Sequence, residues 1–368
     1  MKKPLSLAVL ILLLVSCTVQ KKQLYVFSYY GYITKADGTK FGKTADGAVW
    51  LDARRTSPYQ FRQFWMQIAD ADIEHMLPKF SLRSLDEIAE ILADQKRTPE
   101  SRVAQRTLAR ELTVMFCDMR GFTQLSEHME PTQLQALLNT VFSRLTLVIR
   151  RHRGTIDKYM GDCVMAFWGA PVETPNHASL AVQTAIDMAQ TIREINVERA
   201  SSALPAIQLG IGLNTGDMSV GDMGSDVRRS YTVIGDAVNL GSRLEGLSRL
   251  YGVDIVASET TQAQAPGFAW QVLDRVRVKG KAQAVTIVTP LGRREQLTAE
   301  QTAELAHWKL ALQAWQARDW DACDVHLLNL QRQNAKKVLY RLYAERVASM
   351  RRLPPDAPWD GTTSFESK

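Results

Sequence analysis

Between residues 111 and 291 the sequence predicts an α/β or α+β sandwich, and three observations carry that reading. Short apolar runs of strand length recur between stretches of helical periodicity, the pattern of a sheet covered by helices. The segment 131–153 sets Leu134, Leu137, Leu138, Val141, Leu145, Val148 and Ile149 on one stripe, with Pro131 in its first turn and Gly154 at its stop. The runs 155–159 and 164–168 flank Gly161-Asp162, the signature of a hairpin turn. In chain order, 112–116 is a short strand, followed by the helix and the hairpin. A second helix follows at 176–197, then strands near 207–213, 231–234, 253–257 and 285–288. Asn239 and Arg243 lie four apart on a predicted helix. Beyond Arg293 the tail reads as helical, with Trp308, Leu312, Trp315 and Trp320 ahead of a Leu-Tyr-rich run at 338–343. Aromatics at that spacing are read as a packing face.

The chain has 368 residues, of which 45% are hydrophobic and 23% charged, enough for two to three domains with packed cores. Those proportions exclude wholesale disorder, collagen and a disulfide scaffold. A net charge of +6 suits an anionic partner such as a nucleotide, and is too thin an excess to argue for nucleic acid. Cys17, Cys117, Cys163 and Cys323 form no Cys-x-x-Cys pair and read as reduced thiols.

The first 110 residues have a different character. Met1-Lys2-Lys3 precedes an apolar run over 5–16 that ends in Leu14-Val15-Ser16-Cys17. This is a secretory signal pattern whose end resembles a lipoprotein lipobox with Cys17 acylated, and residues 1–20 are read as a leader. The run is short of the roughly 20 apolar residues a spanning helix needs. Residues 21–110 contain Ile33-Thr34-Lys35-Ala36-Asp37-Gly38-Thr39-Lys40-Phe41-Gly42-Lys43-Thr44, then Ser57-Pro58-Tyr59 and Phe64-Trp65. This stretch resembles the middle of bacterial tyrosyl-tRNA synthetases, and 40–44 matches their KMSKS-type loop. Amino-acid activation also needs paired histidines, and none of the six histidines has another within three residues. The fragment is expected to be non-catalytic, with its best capped helix at 84–93. The synthetase resemblance continues through Gln105-Arg106-Thr107-Leu108-Ala109-Arg110-Glu111, so the chain reads as a composite of three sources.

Two aspartates stand out by setting. Asp118 follows the strand 112–116 and precedes Arg120-Gly121-Phe122-Thr123; Asp162 sits at the hairpin tip. Two carboxylates beside glycine turns could hold Mg²⁺ or Mn²⁺, which take oxygen ligands and share them with phosphates. The segments Phe116-Cys117-Asp118-Met119-Arg120-Gly121-Phe122-Thr123, Asp157-Lys158-Tyr159-Met160-Gly161-Asp162 and Tyr231-Thr232-Val233-Ile234-Gly235-Asp236-Ala237-Val238-Asn239, with Ser242-Arg243 and Val278-Lys279-Gly280-Lys281, resemble class III adenylate cyclases in order and approximate spacing. The tail is similar to the extension of bacterial cyclases that carry an extracytoplasmic sensor and transmembrane helices upstream.

The resemblance implies an α+β class III sandwich with a ferredoxin-like βαββαβ core over 111–292 and a helical extension over 293–368. It implies conversion of ATP to 3′,5′-cyclic AMP and pyrophosphate. Two divalent cations, Mg²⁺ or Mn²⁺, would be held by Asp118, Met119 and Asp162. Gly121, Phe122 and Thr123 would offer main-chain N–H groups to the phosphates. Asn239 would orient the ribose, and Arg243 would meet the charge developing at phosphorus. Lys279 or Lys281 would hold the triphosphate. Lys158 would donate to adenine N1, and Thr232 would accept from the exocyclic amine. Some relatives carry an arginine after the small residue and glycine matched by Thr215-Gly216, where this chain has Asp217. The resemblance implies a head-to-tail homodimer with sites at the interface, aspartates from one subunit and Lys158, Thr232, Asn239 and Arg243 from the other. No nucleic-acid partner is expected. Catalysis is expected in the cytoplasm, since acylation of Cys17 after export would place the enzyme away from ATP; membrane attachment through the leader is the competing expectation.

Overall fold

A computed structural model describes residues 108–368 apart from 128, 203, 226–227, 279–282, 355–358 and 366–368. The leader, the KMSKS-like loop, the helix expected at 84–93, and Lys279 and Lys281 lie outside the described residues. The order begins β1 (Leu108–Met119), α1 (Phe122–Glu127), α2 (Pro131–Arg151), β2 (Thr155–Met160), β3 (Cys163–Trp168) and α3 (His177–Ser201). It continues β4 (Leu209–Ser225), β5 (Arg228–Ile234), α4 (Asp236–Tyr251), β6 (Ile255–Ser258), α5 (Glu259–Ala263), β7 (Phe268–Val278) and β8 (Val285–Arg293). The tail supplies α6 (Ala299–Gln316), α7 (Trp320–Gln333), α8 (Val338–Met350) and β9 (Thr363–Phe365).

The described strands form one sheet in the order β2-β3-β1-β4-β6-β8-β7-β9, with β5 on the far part of β4. The pairs β4–β6 and β7–β9 are parallel and the others antiparallel. This is the expected α+β sandwich. In β1 the two-residue side-chain period divides the strand between two cores. Met115, Cys117 and Met119 pack under α2 and α3 with Leu137, Val141, Leu145, Val182 and Met188. Leu112, Val114 and Phe116 face the other way with Phe167, Met218, Val220 and Val238. Helix α4 runs on across that second face, where Leu240, Leu244, Leu247 and Tyr251 join Trp308, Trp315, Tyr340 and Tyr343 of the tail. The tail aromatics are the packing face the sequence suggests: Trp308 and Trp315 lie 5.0 and 5.2 Å from Tyr343, ring centre to ring centre.

The structure corrects several boundaries. The strand read at 112–116 runs over Leu108–Met119, so Asp118 lies inside it, and the strand read at 207–213 is the 17-residue β4. Five glycines within β4 (210, 212, 216, 221 and 224) weaken its strand signal. Strand β7 has no counterpart in the sequence reading. Its apolar pattern is broken by Gln271 and Asp274, 1% and 2% exposed, whose side-chain partners Tyr340, Tyr251 and Arg346 are supplied only by the tertiary structure. Among the described residues no helix is long and apolar enough to cross a membrane.

Candidate active site

Asp118 is the penultimate residue of β1, and the turn between β2 and β3, made with Gly161 at φ +64°, brings Asp162 beside it. Burial pushes the Asp118 carboxyl up to about 6; the neighbouring Asp162 charge and a hydrogen bond shared with Asp162 add to the rise. The Met119 N–H, donating to Asp118 Oδ1 at 3.1 Å, opposes it. A third carboxylate, absent from the sequence-based site, approaches from α4. Burial and then the Asp118 charge push Glu245 up to about 7, with Arg120 acting against them. Its one signal in the sequence is its place two residues beyond Arg243. The Cys163 thiol beside this group is pushed up to about 12, first by burial and then by Asp118, so it stays protonated.

Among the described residues no three His, Cys, Asp or Glu side chains form a ready-made metal cage. The Asp118–Asp162 pair nevertheless fits a hard divalent cation. Its donors are carboxylate oxygens, and their mutual repulsion is what a cation would relieve. Main-chain oxygens, water and phosphates would complete the shell. Met119 is placed for a main-chain role only, since its side chain is buried in the core. After it the chain turns at Arg120 and Gly121 (φ +71°) into α1, which begins at Phe122; Thr123 lies in its first turn. The turn is pinned by Arg120 N–H donating to the Gln208 carbonyl at 2.9 Å, and Arg120 Nη2 donates to the Val253 carbonyl at 2.5 Å. A cleft of about 330 Å³ opens there, lined by Met119, Arg120, Gly121, Gln124 and Leu125.

Lys158 lies in β2 and Thr232 in β5, and Asp157 joins them. Thr232 Oγ1 donates to Asp157 Oδ2, and Lys158 Nζ stands 3.3 Å from Asp157 Oδ1. The sequence reading quotes Asp157 within a motif and gives it no role.

Asn239 and Arg243 lie one turn apart on α4. Asn239 is exposed, while Arg243 is half-buried and its Nη1 has no hydrogen-bond partner among the described residues. The helix is held close to β4 by glycine: a Cβ at Gly212 would stand 2.3 Å from the Glu245 nitrogen and the Gly241 oxygen. Asn214 Nδ2 donates to the Ala237 carbonyl at 2.7 Å and fixes the start of the helix. Thr215 is buried, bonded to Thr113 and Thr261, and Asp217 is exposed on β4. The structure thus brings together Asp118 with Asp162, and Lys158 with Thr232. Strand β7 ends at Val278, immediately before the two lysines that lie outside the described residues.

A family model described as the adenylate and guanylate cyclase catalytic domain matches residues 104–289, half of the chain. The chain belongs to this family. A second model, tRNA synthetases class I (W and Y), matches residues 15–131 and overlaps the start of the cyclase match. Adenylate cyclase 1 of Rhizobium meliloti (strain 1021) is 35% identical over 183 residues, 50% of this chain and 28% of that protein. The adenylate cyclase of Anabaena cylindrica is 38% identical over 183 residues, 48% of this chain and 36% of that protein. The tyrosine–tRNA ligase of Anaeromyxobacter dehalogenans (strain 2CP-C) is 58% identical over 81 residues, 22% of this chain and 19% of that protein. This chain therefore spans about a third of the length of the curated cyclases it matches. Among solved structures, the adenylyl cyclase CyaB from P. aeruginosa is 33% identical with a TM-score of 0.48, covering 52% of this chain and 100% of that one. The guanylyl cyclase Cya2 is also 33% identical, with a TM-score of 0.47, covering 52% and 97%. The cyclase domain and the synthetase-like segment both agree with the sequence reading.

Proposed function

We propose that this cyclase-family chain converts ATP into 3′,5′-cyclic AMP and pyrophosphate. The observation that carries the reading is the meeting of Asp118 and Asp162, two carboxylates held together at one strand end despite their repulsion. Both would hold Mg²⁺ or Mn²⁺, up to two ions, with Met119 contributing from the main chain. When bound, the cations supply Lewis acidity at the phosphates and at the attacking hydroxyl.

The chain's own residues do the rest. The turn through Gly121, Phe122 and Thr123 presents main-chain N–H groups to the β- and γ-phosphates. Asn239 orients the ribose so that its 3′-oxygen lies in line with the α-phosphorus. The 3′-oxygen–phosphorus bond forms as the bond to the bridging oxygen breaks, pyrophosphate leaves with that electron pair, and the hydroxyl proton passes to water. Arg243 meets the charge that builds at phosphorus, a role supported by its Nη1 donor, which has no hydrogen-bond partner among the described residues. Lys279 or Lys281 grips the triphosphate. Lys158 and Thr232 read the base as adenine, supported by their joint contact with Asp157.

Two copies of the chain would share each site head to tail. The exposed apolar side chains of Tyr159, Met160 and Ile234, beside Lys158 and Thr232, support a buried surface there. The domain at 111–292 would act in the cytoplasm, where ATP is available, with 293–368 as its extension and residues 21–110 non-catalytic. The test is the purified full-length chain with Mn²⁺ and either ATP or GTP, beside Asp162→Asn. Cyclic AMP that disappears in the variant is expected. Cyclic GMP alone would refute the assignment of the base, and no product from a folded dimer would refute the activity.

A further inference from the structure

Asp157 has an environment that a solvated edge-strand residue would not have. Strand β2 lies at the sheet edge, and its neighbours Lys158, Tyr159 and Met160 are exposed, yet the Asp157 side chain is 0% exposed. The pairing of β2 with β3 shifts register between Ile156 and Lys158, so Asp157 has no partner across the ladder. An unpaired residue at such a bulge re-aims its side chain. Here it turns the carboxylate toward β5. Oδ2 accepts from the Thr232 hydroxyl, and Oδ1 stands 3.3 Å from Lys158 Nζ. Oδ1 accepts no hydrogen bond from the described residues. A buried carboxylate is costly unless its contacts are specific, and the groups at these oxygens are the two that face the base in the reading above.

The consequence follows from hydrogen count. A threonine hydroxyl has one proton and two lone pairs. Once the proton is given to Asp157, Thr232 can only accept. Lys158 has only donors. Side by side they present a donor and an acceptor. Adenine offers the complement, an acceptor at N1 beside a donor at the 6-amino group. Guanine offers the reverse, a donor at N1 beside an acceptor at O6. We propose that Asp157 is a specificity-determining positioning residue. By taking the Thr232 proton, it fixes the hydroxyl as an acceptor and selects 6-aminopurine nucleotides over 6-oxopurine ones. This rests on the assignment of Lys158 and Thr232 to the base, and adds what sets the direction of the threonine hydrogen bond.

The test measures the ratio of kcat/KM for ATP to that for GTP in the full-length chain. In parallel, it measures the ratio of dissociation constants for 3′-deoxy-ATP and 3′-deoxy-GTP, which needs no turnover. In Asp157→Asn the side-chain amide can donate to the threonine oxygen and release its proton toward O6. Both ratios are expected to fall by roughly tenfold or more, the scale of an exchanged hydrogen-bond polarity at a buried site. Thr232→Ser should keep the wild-type ratio and Thr232→Val should lose it. In the Thr232→Val background, Asp157→Asn should shift the ratio less than about twofold, because the coupling runs through the hydroxyl. Asp157→Ser serves the same purpose should the asparagine variant not fold. Equal loss of activity on both nucleotides with unchanged ratios overturns the proposal, as does the same shift with and without the Thr232 hydroxyl. A wild-type preference for GTP overturns the substrate assignment itself, an outcome distinct from either of these.

Discussion

At the scale of single residues, the proposed site has a cost in stability where Asp118 meets Asp162. The folded Asp118 carboxyl stands near 6 against an ordinary 3.8, through burial first and the Asp162 charge second. Without cations the native state therefore holds this proton more tightly than the unfolded chain does. Its contribution is present at low pH and is lost as the pH rises from about 4 through about 6. Glu245, near 7, carries the loss further upward. Asp162→Asn removes the repulsion, and water reaching the half-exposed pair limits the gain to on the order of 1 kcal/mol. Thermal melts in EDTA at pH 8 should show the variant melting about 2–4 °C above wild type, while a cyclic AMP assay shows it inactive. A lower melting temperature for the variant would mean that the pair is structural.

At the scale of elements, α4 carries Asn239 and Arg243 of the proposed site, and two of the contacts that hold it, at Gly212 and at Tyr251, can be tested by substitution. Gly212 lets the helix backbone sit directly on β4. Gly212→Ala forces a Cβ to within 2.3 Å of helix backbone, which should cost about 2–4 kcal/mol in urea unfolding and displace Asn239 and Arg243. At the other end of the helix, the Tyr251 hydroxyl donates to Asp274 Oδ2 at 2.6 Å. The same oxygen receives Arg346 Nη1 from α8 and the Thr363 hydroxyl from β9, both at 2.7 Å. Strand β7 and three elements from widely separated parts of the chain thus meet on one buried carboxylate. Arg346→Met leaves Asp274 without its counter-charge, and denaturant titration should show a loss of about 3–5 kcal/mol.

At the scale of the whole molecule, the head-to-tail reading predicts complementation. A chain carrying Asp118→Ala lacks the metal half of each site, and one carrying Arg243→Ala lacks the phosphate half. Each alone should be inactive. After mixing and subunit exchange, half of the dimers pair the two variants with one intact site of two, so cyclic AMP formation should recover to about a quarter of wild type. No recovery from mixed, folded dimers would place all these residues in one subunit's site.

The sequence alone determined the parts whose information is local. The hairpin at Gly161-Asp162 was legible because its turn chemistry and flanking apolar runs are short-range. Helix α2 was legible because its stripe, its proline and its closing glycine lie within one window. Asp118, Asp162, Lys158, Thr232, Asn239 and Arg243 were legible as candidates because their motifs keep order and spacing along the chain, and the structure brings Asp118 to Asp162 and Lys158 to Thr232. The tertiary structure alone decided what depends on burial and on contacts between distant segments. Strand β7 went unread because its buried Gln271 and Asp274 look like surface residues until Tyr251, Tyr340 and Arg346 are brought to them. The far half of β4 was hidden by its glycines, and Glu245 acquires its raised pKa only against Asp118. Asp157 takes on a role only when a bulge in β2 turns it to Thr232, 75 residues away. For β7, Glu245 and Asp157 the physical reason is the same: a polar group's energy is set by what surrounds it, and its surroundings come from parts of the chain that no sequence window contains.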